Sequence, residues 1–147
     1  MAMIGIGNTL MGDDGIGPRL IEELHKKRIV GADLIDLGTG GIQLVHELAR
    51  YNSVIIIDAA DMGLDPGEYR IFSPEDAISV KFGRGYSLHD WDLMRSIEIS
   101  KELGEAPERI TIFAIQPRSI KMGGGISPEL KMRSDEYIDR LCSLISD

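Results

Sequence analysis

The chain has 147 residues, 43% of them hydrophobic, with a formal net charge of −8 and a single cysteine, Cys142. That length and apolar content suit one domain, residues 1–147, with its own core. The acidic balance argues against nucleic acid, because phosphate binding needs clustered Lys and Arg; the lone thiol excludes an internal disulfide and suits a reducing compartment, the cytoplasm.

The first strand is expected over residues 2–6. The polar residues Asn8, Asp13 and Asp14 follow too soon for this start to read as a signal peptide. A Gly-rich turn comes next, then a helix opened by Pro18, a residue favoured at the first helical position, with Ile16, Leu20, Ile21 and Leu24 on its buried face. A second strand is placed at 33–36, a turn at 37–41 and a helix buried through Leu44, Val45 and Leu48. Ser53 opens the clearest strand, whose run Val54-Ile55-Ile56-Ile57 is continuously apolar, as in a central parallel strand covered on both faces. The same run is far too short to cross a bilayer.

After Pro66-Gly67, residues 68–72 alternate polar and apolar and read as an antiparallel edge strand. Residues 73–88 are the least regular and are expected to form a mobile loop over the sheet. A helix from His89 or Asp90 to Leu103 with Gly104 as its cap, a strand at 109–115, a second Gly-rich loop at 121–125 and one closing helix at 128–145 complete the chain. The alternation predicts an α/β three-layer sandwich, a mostly parallel sheet of about five strands with one antiparallel edge strand and helices on both faces.

In such sheets the ligand crevice lies beyond the carboxyl ends of the parallel strands. Asp14 in the first Gly-rich loop, Asp58 at the end of the third strand and His89 at the start of a helix all fall on that edge. Each has an ordinary structural reading: Asp13 and Asp14 as turn residues favouring a helix dipole, Asp58 as a cap, His89 as a plain N-terminal helix residue. His25 and His46 lie within helices and receive no role. Together, two carboxylates and an imidazole from separate segments make an O/O/N set that suits Ni²⁺ or Zn²⁺ and leaves positions open for water or substrate.

The first Gly-rich loop follows a strand and precedes a helix, but Asp13 and Asp14 would set negative charge against a pyrophosphate, so a dinucleotide site is rejected. No G-x-x-x-x-G-K-[ST], H-E-x-x-H or G-x-S-x-G pattern occurs. In a hydrolase built on this chain, water is the nucleophile.

The run Gly5-Ile6-Gly7-Asn8-Thr9-Leu10-Met11-Gly12-Asp13-Asp14-Gly15-Ile16-Gly17 resembles the opening motif of the hydrogenase maturation endopeptidases, which process the large subunits of nickel-iron hydrogenases. Asp36-Leu37-Gly38-Thr39-Gly40-Gly41, Ile56-Ile57-Asp58-Ala59, Ser87-Leu88-His89 and Ile115-Gln116-Pro117 follow in the family's order and spacing. The resemblance implies an aspartic-type endopeptidase that removes the C-terminal extension of a precursor large subunit. It places the metal-contacting and catalytic roles on Asp14, Asp58 and His89, and recognition or cleavage on Gly38, Thr39, Gly40 and Gly41. Leu37 departs from the family's usual Gly there. Nickel comes with the substrate, no tightly bound cofactor of the protein's own is expected, and the partner is the precursor, with no nucleic acid or membrane and the protein itself a monomer. The rival readings are a nickel-sensing or precursor-holding chaperone without cleavage activity, and a hydrolase or transferase acting on a small molecule.

Overall fold

The computed structural model describes residues 1–79 and 88–146, with side chains at 1–76 and 93–146. In chain order the elements are β1 (Ala2–Gly5), a 3₁₀ turn (Gly12–Gly15), α1 (Ile16–Lys26), β2 (Asp33–Asp36), α2 (Ile42–Leu48), β3 (Ser53–Ala59) and β4 (Tyr69–Phe72). There follow α3 (Pro74–Ser79), α4 (Leu88–Glu102), β5 (Arg109–Ile115), α5 (Pro128–Lys131) and α6 (Ser134–Ile145). The strands lie in the order β2-β1-β3-β5-β4. The first four in that order run parallel, and β4 joins β5 antiparallel at the edge, Tyr69 opposite Ile115 and Phe72 opposite Ile112. The predicted α/β class and its antiparallel edge strand are both present.

Two apolar layers sandwich the sheet because successive strand side chains point to opposite faces. On one face Met3, Ile55, Ile57, Phe113 and Ile115 pack against Ile16, Leu20 and Leu24 of α1 and Tyr137 and Leu141 of α6. On the other, Ile4, Val54, Ile56, Ile112 and Ala114 meet Leu44 and Leu48 of α2 and Leu93 and Ile97 of α4. Burial on both faces is why β3 carries an unbroken apolar run. The start of α1 lies close against the strand ends. A Cβ on Gly17 would sit 2.5 Å from the carbonyl oxygens of Ile6 and Ile57, so only glycine permits that approach.

Three expectations are corrected. Helix α1 begins at Ile16, two residues ahead of Pro18, because the 3₁₀ turn feeds directly into it. The closing helix is two helices: residues 132–133 form a turn between them, Arg133 N–H bonding back to the Leu130 carbonyl, with Met132 85% exposed. Leu130, Tyr137 and Leu141 keep helical spacing across the break, so the apolar pattern carried no sign of it. The stretch expected as irregular opens on α3, since Ser73 and Asp76 exchange backbone-to-side-chain hydrogen bonds (3.5 and 3.3 Å) around Pro74 at the first helical position. Residues 80–87, where the mobile loop was expected, lie outside the described residues. Among the described residues, no helix is long and apolar enough to cross a membrane.

Candidate active site

β1 leaves the sheet at Gly5 into a loop closed by Asn8, whose Oδ1 accepts the Leu10 N–H at 2.9 Å and whose carbonyl accepts the Met11 N–H at 3.0 Å. These turns deliver the chain into the 3₁₀ turn carrying Asp13 and Asp14. With about three residues per turn, neighbouring side chains on such a turn diverge by roughly a third of a circle, so the two aspartates serve different surroundings.

Asp14 is 3% exposed, and its Oδ2 accepts the Asn8 N–H at 2.8 Å. It lines a cleft of about 220 Å³ together with Ala59, Asp61, Gln116, Arg118 and Ile120. Asp58 is 1% exposed, sits next to last in β3 and accepts the Ala59 N–H at 2.8 Å on its Oδ1. The alternation of β3 puts it on the same face as Val54 and Ile56, the face covered by α2 and α4. His89 is the second residue of α4, a helix whose Ser96 hydroxyl reaches the Gly41 carbonyl at 3.5 Å; the His89 side chain lies outside the described residues. Thus both carboxylates named from the sequence are buried at the carboxyl edge of the sheet, and the helix bearing the imidazole packs on the face from which Asp58 projects. Among the described residues, no three His, Cys, Asp or Glu side chains gather as a metal-holding group.

The turn after β2 meets the first loop through its backbone. Gly7 N–H donates to the Gly38 carbonyl at 2.6 Å, and Gly38 N–H to Asp36 Oδ1 at 2.8 Å. Gly38, Gly40 and Gly41 all have positive φ, with Thr39 between them, a path that other residues follow only under strain. Leu37, the departure from the family pattern, packs against the core on the α2 and α4 face. A larger cleft, about 470 Å³, is lined by Thr9, Pro18, Glu22, His25, Asp36 and Ile126. It contains neither Asp14 nor Asp58, so its size does not make it the reaction site.

The supporting roles of two residues, Asp13 and Gln116, were not read from the sequence. Asp13 is fully buried and its carboxylate is the hub of the second Gly-rich loop. Oδ2 accepts Arg118 N–H (2.8 Å), Ser119 N–H (3.2 Å) and the Ser127 hydroxyl (2.8 Å), while Oδ1 accepts Ser127 N–H (2.6 Å). Gln116 clamps the loop after β3: its Oε1 accepts Met62 and Leu64 N–H at 2.7 and 3.3 Å, and its Nε2 donates to Asp61 Oδ1 at 3.2 Å. In the sequence Asp13 stands between glycines and Gln116 just ahead of a proline, and neither setting named a partner.

Residues 18–144 match the family described as HycI, hydrogenase maturation protease. The chain belongs to this family. Asp58 and His89 fall within the matched stretch and Asp14 just ahead of it. The hydrogenase expression/formation protein HupD of Bradyrhizobium diazoefficiens is 29% identical over 99% of this chain and 77% of its own length. The HupD of Thiocapsa roseopersicina is 29% identical over 93% of this chain, which spans 63% of that relative. The hydrogenase 2 maturation protease of Escherichia coli is 25% identical over 99% of this chain and 90% of its own. Among solved structures, the [NiFe] hydrogenase maturation protease HybD from Thermococcus kodakarensis superposes with a TM-score of 0.80 at 25% identity, covering 99% of both chains. The E. coli maturating endopeptidase HybD shares the fold, with a TM-score of 0.85 at 24% identity over 99% of this chain and 93% of that one.

Proposed function

We propose that this hydrogenase maturation protease removes the C-terminal extension of a nickel-loaded large-subunit precursor of a [NiFe] hydrogenase. The reading rests chiefly on one observation: in a chain of this family, Asp14 and Asp58 are both buried at the carboxyl edge of the sheet, where Asp14 lines a cleft. Nickel is carried by the substrate. Asp14 and Asp58, with His89, offer it oxygen and nitrogen ligands of borderline hardness and so complete another protein's coordination sphere without holding the metal tightly. Docking on the metal then sets the scissile bond in place, a gain of proximity and orientation, and a water activated by the metal or by a carboxylate attacks the peptide carbonyl. The turn of Gly38, Thr39, Gly40 and Gly41, tied to Gly7, borders the approach and contributes backbone groups to the bound peptide.

The test is intact-mass spectrometry of a candidate precursor, nickel-loaded and nickel-free, after incubation with the protein. Loss of a C-terminal peptide from the loaded precursor alone supports both the cleavage and the metal checkpoint. A stable complex with unchanged mass would replace this reading with that of a precursor-holding chaperone.

A further inference from the structure

Large apolar side chains left in water beside a reaction cleft mark a surface that another molecule covers. Leu10 is 69% exposed, Ile120 46% and Met122 79%. They belong to two loops far apart in sequence that the structure fastens into one platform. Gly123 N–H donates to the Leu10 carbonyl at 2.9 Å, and Asp13 N–H donates to the Ser119 carbonyl at 2.9 Å. The Asp13 carboxylate holds the same loop from beneath through Arg118, Ser119 and Ser127. Ile120 itself lines the small cleft with Asp14, while Ile126, at the far end of the same loop, lines the large one. The platform therefore continues directly into the candidate active site and bridges two recesses.

From this continuity we infer that Leu10, Ile120 and Met122 form the docking platform for the protein substrate, seating apolar side chains of the precursor next to the bond to be cut. The inference rests on the proposed endopeptidase reading and deepens it. The carboxylates answer for metal and chemistry, and the platform answers for which precursor is accepted. Its rigidity lowers the ordering cost of binding, and the adaptable Met122 side chain suits a surface that must fit an irregular partner.

The test compares wild type with Leu10→Ser/Met122→Gln on the nickel-loaded precursor, following kcat and KM by the appearance of the trimmed product. Both positions face solvent, so thermal unfolding of the double variant should match wild type. KM is expected to rise roughly ten- to hundredfold from the lost apolar contact, with kcat at saturation unchanged. Val30→Ser/Met132→Gln serves as control, since those side chains are 84% and 85% exposed and line neither cleft. Wild-type cleavage with an unaltered KM in the platform variant, or an equal rise in the control, overturns the platform and leaves the endopeptidase reading standing. No cleavage by wild type overturns that reading itself.

Discussion

Replacing Asp13 by Asn changes one atom at the centre of the second loop, and the hydrogen bonds around it fix what should follow. Its Oδ2 gathers three donors and its Oδ1 one, the Ser127 N–H at 2.6 Å. The amide places its single oxygen where three donors converge and turns its NH₂ toward Ser127 N–H, donor against donor. That mismatch costs about 1–3 kcal/mol, and the three surviving bonds fall from about 1.5–3 kcal/mol each, as for a charged acceptor, to about 0.5–1.5. Relief from burying a charge offsets part of the loss. The net expectation is destabilisation of about 3 kcal/mol, a drop in melting temperature of roughly 6–12 °C for a domain of this size. Urea unfolding followed by far-UV circular dichroism measures it, and an unchanged m-value shows that stability, not the surface exposed on unfolding, has changed. A loss under about 1 kcal/mol would refute the hub role of Asp13, because one orphaned buried donor should already cost that much.

Asp14→Asn and Asp58→Asn should each abolish trimming of the precursor while leaving circular dichroism and cooperative unfolding intact; normal processing by both variants would remove these residues from the site. Gly17→Ala brings a methyl to 2.5 Å from the Ile6 and Ile57 carbonyl oxygens, so a destabilisation of about 1–3 kcal/mol or more is expected from overpacking, read in the same urea assay. Burial pushes the Tyr137 phenol up to about 12, from an ordinary value of 10, while its hydroxyl donates to the Gly67 carbonyl. Below pH 10 the phenol is protonated in folded and unfolded chains alike; from there to pH 12 only the unfolded chain ionises, and stability drains at about 1.4 kcal/mol per pH unit. Tyr137→Phe should flatten the alkaline limb of the stability curve by that slope, and equal slopes in the two proteins would refute the assignment.

The sheet was legible because its signals are local. The unbroken apolar run of β3 and the alternation of β4 follow from burial on two faces and on one, and each strand stood where its pattern put it. Asp58 could be placed at the strand end for the same reason. What stayed hidden depends on contacts distant in sequence. The break between α5 and α6 keeps helical phase at Leu130, Tyr137 and Leu141, so periodicity passes over it. Asp13 finds its partners more than a hundred residues away, and Gln116 finds its own across more than fifty. The small helix α3, by contrast, carried a readable start signal in Ser73-Pro74-Glu75-Asp76 that the polar, Gly-containing stretch after it masked.

In this chain the adjacent acids Asp13 and Asp14 take different places: one anchors a loop and the other lines the cleft. The short 3₁₀ turn, entered through the Asn8 turn and left directly into α1, turns the two side chains about a third of a circle apart and sends Asp13 beneath the 117–127 loop and Asp14 to the cleft. Because both ride on the same tight turn, whatever positions Asp13 also positions Asp14. The second loop is thereby registered against the acid that lines the cleft, and Ile120 and Met122 are registered with it. Under the proposed reaction the protein must meet a metal it does not own, so its ligands have to be in place before the metal arrives. Buried backbone hydrogen bonds to Asp13, Asp14 and Asp58 supply that order from within the chain, and a metal-free protein can then present the same site that the loaded precursor completes.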